Sequence, residues 1–287
     1  MTTRQDDNQI INAMSFDIED WFHIVGIRAT EDPEQWSEFP SIALERTRGI
    51  LQTLQQHQVR GTFFMLGWTA QQHPELAREI ADAGHELALH SWWHRRVDQL
   101  TPEQFREDIS RNKDLIEQQS GQRVIGFRAP TFSLVPGTEW AFDIMHELGL
   151  EYDASLFPAR RGHGGYPCSD GPHEFTGTPS GRPMPELPMT VLPIGPFRVA
   201  FSGGGYLRLF PKWFIRWGFA RTNARNLPVV VYLHPRDFAP DQPRPSMPPH
   251  RRFKSYVGLS TTQGKFEMML ENYRFDTCAS ILGLESG

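Results

Sequence analysis

Short apolar runs recur along the chain, each followed by a longer amphipathic stretch, and that alternation most constrains what it can fold into. Ile10 to Phe16, Val59 to Leu66, Glu86 to Leu89, Val124 to Phe127, Leu150 to Tyr152 and Val229 to Leu233 read as strands. Ser41 to Gln58, Gln71 to Ala83, a stretch opened by Thr101-Pro102-Glu103, and Thr138 to Leu148 read as helices. Ser41 and Thr101 are expected caps, Pro102 suits a first turn, and Gly84 and Gly121 suit helix ends. Strands apolar on both faces predict parallel pairing beneath a layer of helices, since an antiparallel sheet with one wet face would alternate.

Beyond Tyr152 the pattern loosens. Pro158 to Pro196 is rich in Pro and Gly and is expected to be a long ordered loop, because the strand at Val229 must return to the same sheet. Gly203-Gly204-Gly205 reads as a turn into a Trp-bearing helix, Leu207 to Phe219; Pro240 to Pro249 reads as a second loop and Thr262 to Tyr273 as a last helix. The expected organisation is one domain over residues 1–287, with an insertion near 158–205 and a C-terminal extension near 236–287.

Composition removes several classes of function. With 39% hydrophobic and 22% charged residues the chain is expected to be globular, and a net charge of −5 leaves no footprint for nucleic acid. Cys168 and Cys278 make no disulfide framework and fit a reducing compartment. Met1 to Gln9 lacks an apolar signal region and no apolar run reaches about 18 residues, so the expectation is a cytoplasmic protein without a transmembrane segment.

Chemically capable residues fall where the apolar runs stop. The first run gives Asp17, Glu19 and Asp20; later ones give His90, Arg128, Asp153 and His234. In a parallel α/β barrel the C-terminal strand edge carries the active site, so these residues are expected to converge. His90 and His94 stand four apart. If the chain turns helical after Leu89, both imidazoles lie on one face and can hold one metal ion with a carboxylate and a water. Arg128 beside a carboxylate would keep it ionised.

Taken together, Ser15-Phe16-Asp17-Ile18-Glu19-Asp20, His90-Ser91 with His94, Arg128-Ala129-Pro130, Tyr152-Asp153 and Leu233-His234-Pro235 resemble the motif series of the polysaccharide deacetylases, carbohydrate esterase family 4 or the NodB-homology family. The stretch from Gly203 through His234-Pro235-Arg236-Asp237-Phe238 to Arg252-Phe253-Lys254-Ser255-Tyr256 resembles the C-terminal extension of an exopolysaccharide-locus, PEP-CTERM-linked subgroup. The resemblance implies a distorted (β/α) barrel of about seven parallel strands and metal-dependent removal of the N-acetyl group from an amino sugar. It implies Asp17 as general base, His90 and His94 as metal ligands, and Arg128 orienting the base. It further implies a backbone N–H near Thr131 at the oxyanion, His234 as general acid and Asp153 as its contact. The metal would be zinc, with cobalt or nickel fitting the same ligands. The substrate would be an N-acetylated oligo- or polysaccharide of exopolysaccharide assembly, including a lipid-linked precursor.

Two positions depart from the family pattern. The usual adjacent aspartates are replaced by Asp17-Ile18, leaving Glu19 or Asp20 as third ligand: an extended backbone favours Glu19, a turn after Asp17 makes Asp20 equally placed. Asp153-Ala154-Ser155 also lacks the usual Asp-Trp pair. An allantoinase-like hydrolase of cyclic amides and a non-catalytic carbohydrate-binding relative are the alternatives, and retention of Asp17, His90 and His94 counts against both. Trp21, Trp92 and Trp93 are expected in the core or rim, and His23, His85, His163, His173 and His250 receive no role.

Overall fold

The structure is a computed structural model, which describes residues 9–159 and 164–284; His163 and the first eight residues lie outside it. The first part runs β1 (Ile11–Ile18), α1 (Ala43–His57), β2 (Thr62–Met65), α2 (Gly67–Gln72), α3 (Pro74–Asp82), β3 (Glu86–Leu89), α4 (Pro102–Ser120), β4 (Gly126–Phe127), α5 (Trp140–Glu147) and β5 (Tyr152–Asp153). The second adds β6 (His173–Phe175), β7 (Met184–Glu186), β8 (Val191–Ile194), β9 (Phe197–Ala200), α6 (Gly204–Leu209), α7 (Lys212–Asn223), β10 (Val230–Leu233), α8 (Pro249–Tyr256), α9 (Thr262–Asn272), β11 (Arg274–Asp276) and α10 (Cys278–Ile281).

One sheet takes strands from both parts. Its order is β10-β1-β2-β3-β4-β5-β7-β6, with β11 added along the start of β1. Every pairing from β10 to β7 is parallel, which gives the expected seven-strand parallel core, and β6 closes one edge antiparallel. The sheet is strongly curled. Strands stand about 4.8 Å apart, so three spacings in a flat sheet would put β1 and β4 about 14 Å apart. Yet Arg128, just past β4, donates to Asp17 of β1 at 2.8 Å, and Phe132 meets Tyr232 of β10 with ring centroids 5.0 Å apart.

The pleat sorts side chains between two cores. Met14, Phe16, Ile18, Phe63, Met65, Leu87 and Leu89 point outward beneath the helices, where Ile50, Leu54, Ile80, Ile109 and Ile116 cover them. Ala13, Phe64, Ala88, Tyr152 and Tyr232 fill the concave side. Small and aromatic residues alternate there because the curl leaves little room. α10 closes the N-terminal end of the sheet: Cys278 N–H donates to Thr62 and Ala279 N–H to Glu86, whose other oxygen accepts from the Tyr152 hydroxyl.

Several sequence expectations are met closely. Thr101 caps α4 reciprocally with Gln104, and Gly121 ends it with φ 72°. Others shift for physical reasons. The helix expected over Gln71 to Ala83 is two helices broken before Pro74, and the one expected over Leu207 to Phe219 breaks at Pro211. Ser41 does not cap α1. The Asp20 carboxylate does, accepting from the Ile42 N–H at 2.7 Å and the Ser41 hydroxyl at 2.6 Å. The Pro/Gly-rich stretch contains β7, which pairs with β5 through Asp153 and Glu186, and the C-terminal stretch contains β11 of the same sheet.

Candidate active site

At the C-terminal edge of the sheet, Asp17 lies buried on the concave face of β1, one strand from His234 and three from Arg128. Arg128 is wholly buried; its guanidinium donates to Asp17 Oδ1 at 2.8 Å, to Ser15 Oγ at 2.9 Å and to the Ala154 carbonyl, and lies over the Phe64 ring. Burial alone would raise the Asp17 pKa, but Arg128, with His90 and His234, holds it below the usual carboxylate value. Asp17 Oδ2 stays open toward the site, 4.0 Å from His90 Nε2 and 3.7 Å from His234 Nε2.

His90 follows β3 directly. Its Nδ1–H donates to the Arg128 carbonyl at 2.8 Å, which leaves the lone pair on Nε2, and burial pushes its pKa down to about 4, keeping the ring neutral. His94 does not come round on a helix as the i,i+4 spacing suggested. Residues 90–96 form a loop with left-handed Ser91 (φ 69°) and His94 (φ 53°). α4 clamps that loop: Asp108 accepts from the Trp92 N–H at 2.7 Å, and Asn112 donates to the Ser91 carbonyl at 2.9 Å. Gly67 is needed opposite, since a Cβ there would meet the Trp92 ring at 2.6 Å.

Glu19 completes a trio with the two histidines. One ligand atom from each of Glu19, His90 and His94 lies within 4.8 Å of the others, and all three residues are buried. Glu19 Oε2 sits 2.6 Å from His94 Nε2 without being aligned as a hydrogen bond, and it has no hydrogen-bond partner among the described residues. Two lone pairs converging on a third point would look like this. Burial opposes the Glu19 charge, yet His94, His234 and Arg236 hold its pKa far below normal. A donor set of two imidazoles and one carboxylate fits a divalent cation. Asp20, the other residue considered for this position, faces α1 instead, and burial lifts its carboxyl to about 6.

On the opposite side His234 presents Nε2, 3.7 Å from both Asp17 and Glu19. Asp237, not Asp153, holds its other nitrogen. His234 Nδ1 lies 2.9 Å from Asp237 Oδ2, and Arg208 of α6 reaches Asp237 Oδ1 at 3.0 Å. Burial lowers the His234 pKa but Asp237 more than offsets it, so the imidazolium persists above its ordinary pKa. Asp153 is engaged elsewhere: both its oxygens accept from Ser155, and it packs against the carboxyl of Glu186. Sequence reasoning passed over Asp237, Arg208 and Glu186. The spacing of Asp237 three residues after His234 was the available signal for the first. Thr131 and Phe132 have φ of 55° and 58°, a strained turn immediately past Pro130. Trp21 and Trp92 are buried and Trp93 half-buried.

The polysaccharide deacetylase family model matches residues 29–152, and a domain of unknown function, DUF3473, matches residues 154–283. A peptidoglycan-N-acetylglucosamine deacetylase of Bacillus cereus is 31% identical over 87 residues, covering 30% of this chain and 32% of the relative. The chain thus spans about a third of that curated relative's length. A putative polysaccharide deacetylase from Mycobacterium smegmatis superposes with a TM-score of 0.64 at 21% identity, over 98% of this chain and 92% of that one. The Puue allantoinase gives the same score at 16% identity, over 97% and 91%. These two likenesses establish the fold, a curled α/β sheet shared across both. Residues 29–152, which carry His90, His94 and Arg128 in the order the motifs require, match the polysaccharide deacetylase family, and residues 154–283 continue as a DUF3473 segment.

Proposed function

We propose that the protein is a metal-dependent hydrolase that removes the N-acetyl group from an amino sugar of a glycan. The observation that carries this is the meeting, at one sheet edge, of the Glu19–His90–His94 trio with Asp17 and with His234, whose Nε2 lies 3.7 Å from Asp17. A divalent cation held by the trio would lower the pKa of a water from about 15.7 to about 7. Zinc is the default for these ligands, with cobalt and nickel also suited. Asp17 accepts the proton of the attacking water, and Arg128 keeps it charged for that purpose. His234, steadied by Asp237, gives a proton to the nitrogen as the C–N bond breaks. His90 is fixed in the tautomer that offers Nε2.

The similarity to a protein named as a peptidoglycan-N-acetylglucosamine deacetylase supports an N-acetylated glycan as substrate. We place that substrate in exopolysaccharide assembly, as polymer or precursor. The two unpaired cysteines fit a reducing compartment, where cell fractionation would find the protein. The test is acetate release from N-acetylated oligosaccharides, peptidoglycan and exopolysaccharide fragments, with metal content measured alongside. Metal-loaded protein that releases no acetate from any of them would overturn the reading.

A further inference from the structure

The region after Glu186 is electrostatically unlike the rest of the chain. From Leu187 to Arg236 there is no Asp or Glu, and there are seven Lys or Arg, in a protein of net charge −5. Part of that charge is used internally: Arg198 and Arg225 share Asp170, Arg208 pairs with Asp237, and Arg236 faces Glu19. Lys212, Arg216 and Arg221 remain, all exposed on α7.

Apolar surface collects at the same place. Among the described residues seven large hydrophobics are exposed, and five of them are Tyr206, Leu209, Trp213, Trp217 and Phe253. α7 buries Ile215, Gly218, Phe219 and Thr222 against the body, with Gly218 tight on the Phe201 ring. That register turns Trp213 (68% exposed) and Trp217 (37%), one turn apart, to the outside. α8 adjoins: Arg208 donates to the Lys254 and Ser255 carbonyls, so Phe253 (58% exposed), between Arg252 and Lys254, joins the same surface. Arg221 stands over the Trp217 ring at 6.0 Å.

Protruding indoles, an aliphatic tip and a phenyl ring, beside Lys212, Arg216 and Arg221 on a segment that itself holds no Asp or Glu, match what settles into a lipid headgroup layer. A sugar platform would pair its rings with carboxylates or amides, and Leu209 has nothing to offer a sugar. We propose that the α6–α7–α8 face docks this protein on an anionic phospholipid surface, independently of the reaction assigned above. Docking is peripheral, because no helix of the described residues is long and apolar enough to cross a membrane. Arg208 and Leu209 are neighbours, one buried at the Asp237 ion pair and the other on the docking face, so docking would hold the site beside the lipid.

The test is co-sedimentation of the full chain with vesicles of phosphatidylcholine alone and of phosphatidylcholine with equimolar phosphatidylglycerol. Binding should favour the anionic vesicles at least tenfold and fade in 0.5 M salt, since each interfacial basic residue contributes about fivefold in affinity. Trp213→Ser with Trp217→Ser should abolish it, and Lys212→Gln with Arg216→Gln should cut it by about 25-fold. Unchanged circular dichroism and thermal midpoint would show that both variants fold. Absence of binding to anionic vesicles at low salt would overturn the proposal, as would binding that the tryptophan variant retains. Conversion of a dimer to a monomer by the tryptophan variant, with no vesicle binding, would overturn it too and assign the face to self-association.

Discussion

The segments 29–152 and 154–283 share one sheet but build their sides of the site differently. In the first, regular strands deliver His90 and Arg128 at their ends, and a helix clamps the loop that carries His94. In the second, only His234 is an ordinary strand end; Asp237 comes from the single turn after it and Arg208 from a six-residue helix. Asp17 and Glu19 belong to neither matched segment. Asp17 sits on β1 and Glu19 directly after it, between β10 of one and β2 of the other. The His90–His94 side and the His234 side of the site therefore come from separate stretches and meet at β1, so they should fail separately.

The largest effects are expected on the first side. His90→Ala or Glu19→Ala should cost more than about 100-fold in metal affinity, beyond the 10–100-fold typical of a residue that merely supports a ligand, and should abolish hydrolysis. Asp20→Ala should keep its metal and lose about 1 kcal/mol of stability, the worth of a helix cap. Metal analysis and thermal melts on these variants would check the contrast, and an Asp20→Ala protein without metal would reverse the assignment. Asp17→Asn should retain metal and lose about 10²–10⁴-fold in turnover.

Smaller losses with another signature are expected from the second side. His234→Ala should leave metal binding intact and slow amides much more than activated esters, whose leaving groups need no proton. Asp237→Asn should show the same pattern at reduced amplitude, because the imidazole remains but is no longer steadied. Paired assays on an N-acetyl sugar and an acetyl ester would read this; equal loss on both substrates would remove His234 from the acid role.

The asymmetry also governs what the sequence disclosed. β3 and α4 were legible to the residue or nearly so, because three apolar residues after Glu86, between turn signals, and a Thr-Pro start with a Gly stop are local signals. His90, Arg128 and His234 were legible because each follows an apolar run. β7 was hidden: Met184-Pro185-Glu186 is three residues with a proline and a buried acid, a strand only because β5 lies beside it. The His94 loop was not legible from the i,i+4 spacing, since its shape depends on Asp108 and Asn112, whose contacts are tertiary. Choosing Glu19 over Asp20 required knowing that Asp20 meets α1, more than 20 residues away in sequence.

The mildest prediction concerns Asp153 and Glu186, which join the two segments. Facing each other in register and fully buried, they cannot both carry charge cheaply; burial raises both pKa values, and the Asp153 carboxylate pushes Glu186 up further, while a hydrogen bond from Glu186 partly offsets the rise at Asp153. The folded state therefore holds a proton that the unfolded chain releases above about pH 4.5. A raised folded pKa means this stability is fully present in acid and is lost as pH climbs from the unfolded value through the folded one. Glu186→Gln keeps the shape and one hydrogen-bond donor for Asp153 while removing the second titration. Its thermal midpoint should fall less than that of the parent between pH 5 and pH 8, with acetate release at neutral pH little changed. A midpoint that tracks the parent across the series would show the shared proton to be thermally unimportant, and an equal collapse of activity would return Asp153 to the reacting groups.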